Sequence, residues 1–211
     1  MASAALQQII RLFRSLKRPS TRSVQGLWAE LFVIRMAHDA RAMVLAWRAD
    51  PFERFDFAAK AERLEVKSTK WTRRSHQFSL EQLQAAGDIR VIVASVQVAS
   101  LANGLTLARL WHDVRLLVED NAKLLLHVDQ VVTTSLGRAW RRGLKFGFDD
   151  NVARNTLAFY DAKLIPAVDG TLPTEVSEVR FRSDLSAMTP LSPDAMRSLG
   201  CLFQAAKADP V

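Results

Sequence analysis

Cysteine is almost absent from this sequence: Cys201 stands alone. A lone cysteine forms no internal disulfide, which fits a protein of the reducing cytosol, so a cytoplasmic location is expected. It also removes the thiolate clusters of structural zinc sites. The four histidines, His38, His76, His112 and His127, lack zinc-ligand spacing. Glycine is sparse, and Gly104, Gly137, Gly143 and Gly147 are too scattered to build a phosphate-cradling loop. No nucleophile elbow of a serine hydrolase is found. No stretch nears the roughly 20 apolar residues of a membrane span. The first residues, 1–17, are amphipathic, with Leu6, Ile9, Ile10, Phe13 and Leu16 on one helical face. They lack the apolar run and cleavage site of a secretory signal. The expectation is a surface helix packing on the body of the protein, with no membrane partner.

What the sequence does carry is bulk and positive charge. Its 211 residues are 49% hydrophobic and 24% charged, the profile of an ordinary globular domain. At this length roughly 70% of the unfolded surface can be buried. Lysine and arginine exceed aspartate and glutamate, giving a net charge of +7 and a pI of about 10.1. Such a surface concentrates phosphate polymers and speeds encounter with them. Charge alone suits an acidic protein partner as well.

Along the chain, Arg18-Pro19-Ser20-Thr21-Arg22-Ser23 breaks the first helix and supplies N-cap residues for a second. That second helix starts near Val24 with Leu27, Leu31 and Ile34 on one face, and a short helix covers Asp39 to Trp47. Asp50-Pro51 is a stop and turn. Two strand patterns follow, Arg54 to Ala58 and Arg63 to Ser68. Ser79-Leu80-Glu81-Gln82 has the spacing of a capping box. Ile89 to Val98 reads as a buried strand. Helices are expected over Leu105 to Glu119 and Asn121 to Leu136, and strands near Thr156 to Val168 and Val176 to Phe181. A last helix follows Ser192-Pro193, with proline in its first turn. The order predicts an α/β fold, a mixed sheet with helices against it. The expected organisation is an amphipathic helix and linker over 1–22, a main domain over 23–186, and a C-terminal helix over 187–211 that packs on it.

Chemistry concentrates in the first two strands. With a period of two, Glu65 and Lys67 share one face, while Leu64 and Val66 point to the core. Phe55 and Phe57 form the core pair of the preceding strand, and Asp56 faces away from them. A hairpin turning symmetrically about Lys60-Ala61 puts Asp56 opposite Glu65, with Cβ atoms about 4.5–5.5 Å apart. Carboxylates that close repel by roughly 4 kcal/mol at an effective dielectric near 20. Lys67 is one source of offsetting charge. A divalent cation is another, since hard oxygen ligands suit Mg²⁺. Asp56, Glu65 and the Val66 carbonyl would be its ligands, with Lys67 near the reacting phosphate. The plain alternative is a solvated strand face of mixed charge.

Neighbouring residues strengthen the first reading. Glu30 falls inside the apolar stripe of the second helix, where a carboxylate must be paired, protonated or metal-bound, or else sits at the stripe's exposed edge. Gln82 opens the helix after the motif, where it can reach the site or serve only as a cap. Lys70, Trp71, Arg73 and Arg74 follow the motif and offer the basic, aromatic surface that a DNA groove needs, or else are just a solvated loop. His76 is a further candidate DNA contact or an uninvolved loop residue. Arg138, Trp140, Arg141, Arg142 and Lys145 make a second basic–aromatic cluster, with Arg141 and Arg142 as candidate backbone contacts.

The ordered set Gly26-Leu27-Trp28-Ala29-Glu30-Leu31, Phe55-Asp56-Phe57, Leu64-Glu65-Val66-Lys67-Ser68-Thr69, His76 and Ser79 to Leu83 resembles a family of uncharacterised bacterial PD-(D/E)XK proteins. Val179-Arg180-Phe181-Arg182-Ser183-Asp184-Leu185-Ser186 looks like that family's closing strands. The resemblance covers Ser23 to Ser186. It implies a restriction-endonuclease-like core, a central four-stranded mixed sheet flanked by helices. It implies cleavage of DNA with Mg²⁺ (or Mn²⁺), Asp56 and Glu65 as metal ligands, and Lys67 as the catalytic lysine. Glu30 matches the first-helix glutamate that often completes such sites. It also implies work in restriction or phage defence, as a homodimer or with partner proteins of a defence system. Two features depart from the pattern: relatives carry a longer segment ahead of the Gly-Leu-Trp motif, and no proline precedes Asp56. The alternative function is a catalytically inactive DNA-binding or assembly subunit with the same fold.

Overall fold

Ser23 opens the first described helix, its hydroxyl accepting from the Gly26 amide at 3.0 Å. That helix, α1, runs Val24–Met36, and every residue from Leu27 to Ile34 is buried. The apolar stripe predicted a one-sided helix. Burial all round means instead that α1 lies between two layers. The structure, a computed structural model, describes residues 22–50, 53–85, 87–168, 173 and 175–207, with single positions before residue 22. The amphipathic segment and linker expected over 1–22 therefore lie almost wholly outside the described residues. Helix α2 (Ala40–Ala46) follows α1, capped by Asp39.

Strands β1 (Phe57–Ala59), β2 (Glu62–Thr69), β4 (Arg90–Gln97) and β7 (Ala158–Asp161) form a sheet in the order β1-β2-β4-β7. β2 and β4 are parallel and the outer pairs antiparallel, so the sheet is mixed, as expected. β4 is buried on both faces. Ile92, Ala94 and Val96 enter the main core with α1, and Val91 and Val93 enter a second apolar cluster on the opposite face. β2 differs. Leu64 and Val66 pack into the main core, but its other face presents Glu65 and Lys67.

Strand β3 (Ser75–Ser79) pairs antiparallel with β8 (Arg180–Asp184) in a separate two-stranded ribbon. From sequence, His76 is read as a loop residue and the last strand as covering Val176 to Phe181. Neither short strand carries a strong apolar alternation, and each is defined by its long-range partner. Helix α3 (Leu80–Leu83) continues directly from β3. The helix expected from Leu105 begins later, because β5 (Ser100–Thr106) comes first and pairs with β6 (Gly147–Phe148). Gly104 permits that pairing: a Cβ there would lie 2.5 Å from the Phe148 carbonyl oxygen. Helices α4 (Leu107–Leu117) and α5 (Ala122–Leu136) complete the layer over α1, followed by the short α6 (Trp140–Gly143) and α7 (Asp150–Thr156). Trp28 of α1 donates its indole N–H to the Leu105 carbonyl at 2.8 Å and stacks on Phe32.

The single last helix expected after Pro193 is two, α8 (Pro193–Arg197) and α9 (Cys201–Ala206), with Gly200 as the N-cap of the second. Leu202 and Phe203 enter the main core, and the Leu202 amide donates to Glu62 Oε2 at 2.7 Å. Among the described residues no helix is long and apolar enough to cross a membrane.

Candidate active site

The β1–β2 hairpin sets the site. Phe57 faces Leu64, Ala58 faces Arg63 and Ala59 faces Glu62. The turn is Lys60-Ala61, with Lys60 in the left-handed region at φ 49°. Carried one pair past Phe57 and Leu64, this register places Asp56 across from Glu65. Asp56 lies just ahead of β1, and its side chain takes over from the ladder: Oδ2 accepts from the Val66 amide at 2.8 Å. The N–H and C=O of one strand residue point to the same side, so the Val66 carbonyl is directed toward Asp56 as well. The expected core pair splits. Phe57 enters the main core and Phe55 the second cluster, because Phe55 lies outside the strand and does not follow its alternation.

Glu65 is buried, 6% exposed. Its Oε1 lies 2.7 Å from Lys67 Nζ and accepts from Gln82 Nε2 at 2.7 Å. Lys67 also donates to Gln82 Oε1 at 3.2 Å and stands over the Phe78 ring. Gln82 thus serves both roles raised for it. Its Oε1 accepts from the Ser79 amide at 3.1 Å as a cap, while its amide nitrogen reaches the site. The same nitrogen donates to the Arg54 carbonyl at 3.2 Å.

Glu30 is buried at 4% exposure, not at the edge of a stripe. Its Oε2 accepts from the Trp47 indole at 2.7 Å and pairs with Arg22 Nη1. Arg22 also donates to the Arg48 carbonyl at 2.9 Å. Sequence reasoning misses Arg22 and Trp47. Trp47 carries a signal, since a buried indole N–H needs a partner, but Arg22 sits in a basic linker and nothing local marks it.

Three carboxylates therefore share one low-dielectric region. Burial, then the Asp56 charge, push the Glu65 carboxyl up to about 7, while Lys67 and Gln82 pull it down. Glu30 is raised well above its ordinary value by burial and then by Asp56, against Arg22 and Trp47. Asp56 keeps some surface open to solvent, yet burial raises it too, against Arg22, Val66 and Lys67. A dication would offset this strain. Two carboxylates and a peptide carbonyl form an all-oxygen donor set, which fits Mg²⁺ or Mn²⁺ with waters retained. Among the described residues no three His, Cys, Asp or Glu side chains are grouped to hold a metal by themselves, so the carbonyl and waters have to complete the set.

Beside the hairpin opens a cleft of about 440 Å³, lined by Val66, Lys67, Lys70, Trp71, Gln77 and Arg182 among others. Lys70, Trp71 and Arg73 are exposed. Two of the expected DNA contacts turn inward instead. Arg74 donates to the Ser95 carbonyl at 3.0 Å and hydroxyl at 2.9 Å, and also bonds the Thr156 carbonyl, so it ties β3 to the sheet. His76 lies on β3, not in a loop. It is 3% exposed, its Nε2 sits 2.8 Å from Ser95 Oγ, and burial and then Lys67 hold its pKa down near 4. A neutral, enclosed imidazole carries no charge to a phosphate. Arg141 and Arg142 are exposed on α6, with Arg141 over the Trp140 ring. That helix abuts the start of α1, where a Cβ on Gly143 would meet Val24.

A mixed four-stranded sheet flanked by helices, with an acidic hairpin at its parallel pair, is a restriction-endonuclease-like fold. The model of the family described as "Putative PD-(D/E)XK family member, (DUF4420)" matches residues 2–186, and the chain belongs to that family. No curated protein and no solved structure matches it.

Proposed function

We propose that the protein is a deoxyribonuclease of restriction or phage defence that hydrolyses phosphodiester bonds with Mg²⁺ or Mn²⁺. One observation carries the reading: Asp56, Glu65, Val66 and Lys67 meet at one end of one hairpin, the two carboxyls raised by burial and Lys67 within 2.7 Å of Glu65. Asp56, Glu65 and the Val66 carbonyl are the groups that would hold the ion. When bound, the ion supplies a water of lowered pKa and a neutralised phosphate. Lys67 keeps a fixed ammonium beside Glu65, where it can stabilise charge that develops on the phosphate. Gln82 fixes both partners through its two amide atoms. Glu30, whose carboxyl feels the Asp56 and Glu65 charges, completes the site from α1 and is held there by Arg22 and Trp47. Lys70, Trp71 and Arg73 border the cleft, and Arg141 and Arg142 extend the basic surface for the DNA backbone. Work in the cytoplasm, as a homodimer or with partner proteins of a defence system, belongs to the same proposal.

The test is supercoiled plasmid incubated with the protein and Mg²⁺ or Mn²⁺. Nicked or linear product is expected, and Lys67→Ala should stop cutting while leaving DNA binding intact. Plasmid that stays intact, with the protein alone and with the products of neighbouring genes, overturns the enzyme reading. The alternative is a non-catalytic DNA-binding or assembly subunit of a defence complex with the same fold.

A further inference from the structure

The β3–β8 ribbon has two unlike faces. His76, Phe78, Phe181 and Ser183 point inward, buried or half-buried against the second cluster. The outer face carries Gln77, Arg180 and Arg182, all exposed, with Gln77 opposite Arg182 and Ser79 opposite Arg180. The ribbon has a direction relative to the site. Its Ser79–Arg180 end joins α3, whose Gln82 bonds Glu65. Toward its other end Gln77 and Arg182 line the cleft with Lys70 and Trp71.

The charges along this face are of one sign with two exceptions. Asp184 ends the ribbon, bonded to the Ser186 amide and beside Arg73. Glu81 lies beside Arg54 and Arg180. Lys70, Arg180 and Arg182 form no salt bridge among the described residues. Arg180 and Arg182 are alternate residues of one strand, about 7 Å apart. That is the scale on which phosphates repeat along an extended nucleic-acid strand. Trp71 is 74% exposed at the mouth of the cleft. An indole left open beside cations is a stacking platform for an unpaired base.

We infer that the outer face of the β3–β8 ribbon is a track for the strand to be cut, with Arg180 and Arg182 on successive phosphates and Trp71 stacked on a base. This rests on the nuclease reading above. It adds that the strand enters single or locally unpaired, since a base held in a duplex cannot stack on Trp71.

The test is binding of a fluorescent single-stranded oligonucleotide by the full chain over a range of salt, without divalent ions so that nothing is cut. Replacing both arginines, Arg180→Ala with Arg182→Ala, should flatten the slope of log affinity against log salt by about 1.4, from about 0.7 per phosphate contact. The paired lysine variant, Arg180→Lys with Arg182→Lys, should keep the slope. Trp71→Ala should weaken binding roughly 10-fold at an unchanged slope. If the wild type binds and the alanine pair leaves its slope intact, or the lysine pair loses as much, the track is wrong and the nuclease reading stands. If the wild type binds neither this oligonucleotide nor plasmid at low salt, the nuclease reading fails and takes the track with it.

Discussion

Asp56 Oδ2 accepts the Val66 amide at 2.8 Å, so a side chain closes the hairpin where a backbone ladder bond would otherwise stand. The aspartate has a structural duty as well as its proposed place in the metal set. An asparagine keeps an acceptor for Val66 and loses only the charge. Asp56→Asn should therefore fold as the wild type does without metal, yet lose the rise in Tm that Mg²⁺ gives the wild type. Metal at 100 times its Kd should stabilise the wild type by about 2.7 kcal/mol. Thermal melts with and without Mg²⁺ decide this: an equal metal-induced rise in the variant would remove Asp56 from the set.

Lys67 lowers the Glu65 carboxyl, which even so stands near 7. Metal must displace the proton from that carboxyl. Without Lys67, the Glu65 carboxyl moves further up, so the metal-binding midpoint of Lys67→Ala should shift to higher pH. Isothermal titration with Mn²⁺ at a series of pH values reads it. A midpoint that stays in place would separate Lys67 from Glu65 energetically, whatever their distance.

Gln82 is engaged by Glu65, Lys67 and the Ser79 amide at once. Gln82→Ala should cost about 1 kcal/mol as the lost capping-box bond from the Ser79 amide and about 10- to 100-fold in metal affinity or cutting as a lost orienting group. Gln82→Glu should do more harm to metal-free Glu65, because a fourth carboxylate beside it raises its pKa further. Stability and metal affinity measured on both variants separate the two roles.

These three residues show how far sequence reaches. The Asp56–Glu65 register follows from alternation and one turn, both local, and the observed pairing agrees with it. The central sheet is legible for a similar reason, since β4 is a continuous apolar run. Glu30 can be placed in a buried stripe, but its partners cannot, because Arg22 comes from a linker and Trp47 from the end of another helix. β3 is hidden in a basic stretch, and β8 is caught only in part by the strand expected over Val176 to Phe181, since a short half-exposed ribbon depends on a partner roughly a hundred residues away along the chain. Arg74 is misplaced for the same reason. Once β3 is a strand packed on the sheet, a residue at its start turns its guanidinium inward to Ser95.

His76 and Glu65 make opposite demands on pH. The His76 pKa falls from 6.5 to about 4 on folding, through burial and then Lys67 and Arg74. Its contribution is therefore fully present above pH 6.5 and is lost as pH falls through 6.5 toward 4. The Glu65 pKa rises from 4.5 to about 7, so its contribution is present below pH 4.5 and is lost as pH climbs toward 7. Between about 4.5 and 6.5 the two slopes oppose each other, and the wild type hides both. Glutamine in place of His76 can keep a bond to Ser95 Oγ and does not titrate. Relative to wild type, His76→Gln should gain about 3 kcal/mol between pH 7 and pH 4, at about 1.36 kcal/mol for each pH unit separating the folded and unfolded pKa values. Urea denaturation of the metal-free protein at pH 4, 5, 6 and 7 measures it. A difference that stays constant across that range would mean His76 titrates in the fold just as it does in the unfolded chain, and its enclosure by Ser95 and β3 would have to be looser than the 2.8 Å contact implies.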